Sequence, residues 1–138
     1  MTARHLHRAE DGSVSIFIAV LGFAFILAAG LALDGGRKLG GLSEARELAD
    51  NAARACAQGV DQAIYRDTGI PTLDPADATD RATSYLSATG NTGVITIADT
   101  TCTVTVTLSI PTRFLPGPFA VSATESANAV SGTESATP

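Results

Sequence analysis

The chain has no tryptophan, one methionine, two histidines and two cysteines among its 138 residues, and each shortage removes a class of explanation. Both histidines, His5 and His7, sit in the first eight residues. No imidazole is therefore placed to orient a serine or cysteine nucleophile within a folded domain, which argues against a Ser-His-Asp relay. No cysteine pair has metal-ligand spacing, and neither an HExxH helix nor a glycine-rich phosphate loop after a strand is present. No catalytic residue, cofactor or metal is expected, and the chain does not read as an enzyme. Positive charge is also short, with 9 Lys and Arg against 14 Asp and Glu and no basic run longer than Arg37-Lys38. Phosphate backbones need a denser basic footprint, so nucleic acid is not an expected partner. Aromatic residues make up 5%. The interior must then be thin, made of close backbone approaches, as when helices lie on a sheet.

One feature is abundant. From Val14 to Leu33 the chain carries twelve Val, Ile, Leu or Phe, five Ala, two Gly and one serine, with no charge. Twenty residues at the helical rise span about 30 Å, the thickness of bilayer hydrocarbon. On the insertion scale the twelve large apolar residues contribute roughly −4 to −7 kcal/mol. A secretory signal has a shorter apolar region, although Gly30-x-Ala32 offers a small-x-small cleavage site, so an anchor is favoured over a removed signal. Arg4 and Arg8 precede the span, and Arg37, Lys38 and Arg46 follow it, with Asp34, Arg37 and Lys38 as its membrane-edge charges. The basic count alone does not orient the helix. Residues 1–12 resemble a cytoplasmic basic leader, and two cysteines suit an oxidising compartment, which favours the amino terminus inside and the carboxyl domain outside.

Beyond the span, Leu42, Ala45, Ala49, Ala52, Cys56, Gly59 and Ala63 recur at helical steps and form a stripe of small residues. This amphipathic segment is expected to continue the apolar one as a rod of up to about 50 residues, with Gly35-Gly36 and Gly40-Gly41 acting as bends rather than stops. Gly36-Arg-Lys-Leu-Gly40 has the small-xxx-small spacing, but lies past the membrane edge and says little about dimerisation. Asp67-Thr68-Gly69 and Ile70-Pro71 break the pattern. A second helix follows, capped by Asp74 with Pro75 at its first position and Gly90 at its end. Asp74, Asp77 and Asp80 are explained by capping and a solvated face rather than by cation binding.

From Val94 the period becomes two. Cys102, Val104, Val106, Leu108 and Ile110 share one face of a strand, and Thr103, Thr105, Thr107 and Ser109 share the other. Val94 to Ala98 and Phe119 to Val130 supply its neighbours, with Glu125 interrupting the second alternation at a bulge, an edge or an exposed end. Residues 131–138 are expected to be a disordered tail. Cys56 on the helix stripe and Cys102 on the inward strand face could meet as a disulfide. The fold class is thus α+β: a long amino-terminal helix, a second short helix, and a three-stranded antiparallel sheet packed on the long helix. Residues 13–33 form the span and 34–130 the extracytoplasmic domain.

This plan resembles a type IV pilin, and most nearly the TadE/TadG-like proteins of tight-adherence (Tad, or Flp) pilus systems. The resemblance rests on RAEDGSVSIFIAVL (Arg8 to Leu21), on GLALDGGRKL (Gly30 to Leu39), with its Asp, Gly and Arg just after the apolar span, and on the alanine-rich ADNAARACAQ. It covers residues 8 to 65. It implies apolar helices stored in a single-pass membrane form and drawn into a filament core, with the globular parts outside. It also implies other pilin or pseudopilin subunits and an assembly platform as partners. Gly12-Ser13 is the candidate prepilin cleavage site, but the fifth residue after Gly12 is Phe17 rather than the glutamate of most pilins. An uncleaved assembly factor and a minor subunit both fit this departure. The rival from another class is a secreted adhesin or binding module, released after Ala32, with the threonine-rich strand face as its working surface.

Overall fold

The computed structural model describes residues 11–114 and 116–129, with side chains from Val14 onward. The leader expected over residues 1–12, apart from Asp11 and Gly12, lies outside the described residues, as does the tail expected over 131–138.

Helix α1 runs without interruption over Asp11–Ala57, 47 residues or about 70 Å at the helical rise. Both glycine pairs are inside it. Its first half and its second half meet different surroundings. All twelve large apolar residues between Val14 and Leu33 are exposed. In the second half Gly41, Ala45, Leu48, Ala49, Ala52, Ala53 and Cys56 are buried, at steps that keep them on one face. Asp50 and Arg54 pair on the solvent side at 3.0 Å.

The helix ends earlier than the small-residue stripe suggests. After Ala57 the chain turns, and α2, Gln62–Thr68, starts anew with the Asp61 carboxylate accepting from the Ala63 and Ile64 N–H groups at 2.8 and 3.0 Å. The break is fixed by contact at Gly59, where a Cβ would stand 2.6 Å from the Ala78 backbone. Ala63 consequently lies exposed on α2 instead of extending the buried stripe. An antiparallel bridge between Val60 and Leu73 closes this corner. Helix α3, Pro75–Ala88, then begins with the Asp74 carboxylate accepting from Ala76 and Asp77 N–H, and buries Ala78, Ala82 and Leu86.

Strands β1 (Gly93–Ala98), β2 (Thr101–Ile110) and β3 (Phe119–Asn128) form an antiparallel sheet in the order β1-β2-β3. The β2–β3 register is unbroken from Thr101↔Asn128 to Ile110↔Phe119, so Glu125, opposite Val104, is no bulge and sits on the outermost strand. The inward face carries Cys102, Val104 and Val106 from β2, with Val121 and Ala123 from β3, onto α1. On the outward face hydroxyls pair across the strands: Thr103 with Ser126, Thr105 with Thr124, and Thr107 with Ser122, at 2.7 to 2.8 Å. The fold is α+β, with the sheet resting on the upper half of a helix whose lower half stands free of it.

Candidate functional site: a clasp at the base of the sheet

The sheet is fastened to α1 at two levels. At the upper level Cys56 and Cys102 form a disulfide with their Cα atoms 6.1 Å apart, closing a sequence separation of 46 residues. In the chain-entropy model a loop of that length corresponds to about 4 kcal/mol of stabilisation. Among the described residues no cysteine is free.

The lower level is built around Asp34. Sequence reasoning identifies Asp34 only as an edge charge; in the structure it is 1% exposed, the one buried charged residue among those described. Its Oδ1 accepts from the Arg113 N–H at 3.1 Å and its Oδ2 from the Phe114 N–H at 2.9 Å. Each carboxylate oxygen thus has a backbone donor, and the same bonds satisfy two donors of the β2–β3 connection. One helical turn below, Gly30 is buried beneath Phe114, and a Cβ there would stand 2.8 Å from the ring. Glycine is thus the residue that lets the ring approach the helix. One turn above Asp34, Lys38 Nζ lies 5.3 Å from the centroid of the Phe119 ring, within cation–π range. Gly41 continues the series by receiving the Ile110 side chain. Residues 30, 34, 38 and 41 therefore present one face of α1 to the end of β2, its connection and the start of β3.

The site residues named from the sequence fall into separate places. Gly12 and Ser13 are in the first turn of α1. Asp34 and Lys38 join the clasp, while Arg37 is exposed beside them. The sequence does not signal Arg113 and Phe114 as partners of Asp34, because these bonds span 79 and 80 residues of chain and leave no local period, and Gly30 is equally silent until Phe114 is placed on it. The available signals were the spacing of Gly30 and Asp34 by one turn and an aromatic in a proline-rich connection. Among the described residues no group of three or more His, Cys, Asp or Glu is gathered as for a metal ion. The arrangement is mechanical: a rigid head held on a rod whose free half is apolar.

One helix among the described residues is long and apolar enough to cross a membrane, and its most apolar window is almost wholly exposed. No curated protein and no solved structure matches the chain. Residues 12–59, which hold the apolar half of α1, the Asp34 turn and the helix face under the sheet, match the family model Tad, described as putative Flp pilus-assembly TadE/G-like.

Proposed function

We propose that this chain is a membrane-anchored minor pilin or assembly component of a Tad/Flp-type pilus, with residues 13–33 as the lipid or filament-core helix. Residues 34–130 form the extracytoplasmic head, and the amino terminus faces the cytoplasm. The observation that carries this is the division of one continuous helix. Its lower half exposes twelve large apolar side chains, and its upper half is covered by the sheet. Such a surface requires an apolar solvent, either lipid tails or the helices of sibling subunits. The family match over the same helix supports a part in Flp pilus assembly. The role is structural, exerted by helix-to-helix packing, and the partners are other pilin-like subunits and the assembly platform.

The position of Phe17 favours a minor component over the repeating subunit. A carboxylate in the apolar core needs a partner, and most pilins provide one from a neighbour's amino terminus. Here Phe17 stands at the fifth place after Gly12 and is exposed. The secreted rival requires cleavage after Ala32, between Gly30 and Asp34. That cut would fall inside a continuous helix and would separate the two residues that seat Phe114.

Mass spectrometry of the mature amino terminus from the membrane fraction tests the proposal. A chain beginning at Ser13 assigns a processed subunit, and one retaining Met1 or Thr2 assigns an uncleaved assembly factor. A chain beginning at Leu33 overturns the anchored function altogether.

A further inference from the structure

Phe114 stands at an unusual height for a residue in a strand connection. It is 59% exposed, yet one part of its ring is pressed on Gly30, inside the apolar run rather than above it. Gly30 lies about 6 Å below Asp34 and about 4.5 Å below Leu33 along the helix. If Val14 to Leu33 fills about 30 Å of hydrocarbon, the level of Gly30 is the margin where acyl chains meet headgroups. The head therefore reaches down past the end of the apolar helix to lipid depth.

We infer that the Arg113–Phe114 turn is a second membrane contact, with the Phe114 ring seated among the upper acyl chains of the leaflet on the side of the head. The inference rests on the membrane-spanning role of α1 proposed above. Three observations favour lipid as the occupant. The ring exposes apolar area at the same level as Gly30 and Leu31, which makes it continuous with the exposed surface of the span. The cations Arg37, Lys38 and Arg113 lie in the next layer outward, where lipid phosphates would be, and Arg37 and Arg113 are exposed there. The irregular backbone brought to this depth has its Arg113 and Phe114 donors occupied by Asp34, as non-helical backbone near hydrocarbon requires. Asp34 thus does more than hold the head on. It makes a turn of main chain compatible with the membrane margin and fixes the height, and with the ring the tilt, of the head.

The absence of tryptophan gives the test a clean background. Single tryptophans are introduced into the full chain as Phe114→Trp, Phe25→Trp at mid-span and Val94→Trp on β1, and each protein is reconstituted in phospholipid vesicles at high lipid-to-protein ratio. Emission and quenching by lipids brominated near the headgroup or deep in the chain are then compared. The expected result is blue-shifted emission for Phe114→Trp, quenched more by shallow than by deep bromines. Phe25→Trp should be quenched more by deep bromines, and Val94→Trp should stay water-like and unquenched. Pro116→Trp, at an exposed position of the same connection, repeats the measurement without altering the ring on Gly30. Water-like emission from both loop probes with deep quenching of Phe25→Trp overturns the loop contact and leaves the span intact. Failure of Phe25→Trp to be quenched overturns the span itself. Emission from the loop probes that becomes blue-shifted only when subunits are crowded in the membrane assigns the ring to a neighbouring copy and overturns lipid as the occupant.

Discussion

The two halves of α1 solve the problem of burial with opposite materials. Between Val14 and Leu33 the large apolar side chains stay exposed among the described residues, with Phe114 reaching only Gly30. Between Gly41 and Cys56 the buried face is mostly Gly and Ala, and a sheet lies directly on it. Small residues let two backbones approach and leave little side-chain entropy to lose, which is how a head with so few aromatics obtains a packed interior. Large residues that remain uncovered mark a surface for another solvent. The difference ties residue size along this helix to its surroundings: small residues lie under the chain's own sheet, and large apolar ones stay exposed on the half proposed above to meet lipid or sibling helices.

The upper half is where a substitution should have its largest effect. Reducing the disulfide, or replacing it by Cys56→Ala with Cys102→Ala, should lower head stability by about 4 kcal/mol. That corresponds to a melting temperature lower by roughly 15 to 30 °C for a head of this size, read by circular dichroism in detergent with and without reductant. In the lower half, Leu27→Arg should weaken insertion by about 3 kcal/mol while leaving the head's melting unchanged. Membrane partition of the expressed protein measures this, and a head that melts with the span variant would deny the separation of the two halves. At the clasp, Asp34→Ala leaves two backbone donors without their acceptor, and should cost the head about 2 to 4 kcal/mol in chemical denaturation. Ala49→Leu, at a wholly buried position, should cost about 1 to 3 kcal/mol by overpacking; the same enlargement at exposed Ala24 should leave the head unaffected. The smallest effect is expected on the outward sheet face, where Thr105→Ala should change stability by about 1 kcal/mol or less on loss of its hydroxyl pair with Thr124.

Much of this division is legible in the sequence wherever the signal is local. The uncharged run of the span, the alternation from Cys102 to Ile110 and the Asp74 cap each follow from neighbours a few residues apart. The seam of small residues is legible too, but its end is not. The stripe continues in period through Gly59 and Ala63, while the helix stops at Ala57 because Gly59 meets Ala78 of α3 and Asp61 caps a new helix. The clasp is the least legible part. Asp34 reads as one more charge at a membrane edge, since its partners are main-chain donors in a connection distant in sequence. Backbone donors carry no residue identity, so no pattern of side chains announces them. Gly30 is likewise one of several small residues in the run until Phe114 is placed upon it.

In the proposed function the lower half of α1 stays in an apolar medium in the mature protein. Alkaline carbonate extraction of native membranes, followed by mass analysis of the protein in each fraction, tests this most directly. The prediction is that the chain sediments with the membrane, or with intact filaments, and retains Val14 to Leu33. A chain found wholly in the supernatant as a monomer lacking those residues would contradict it.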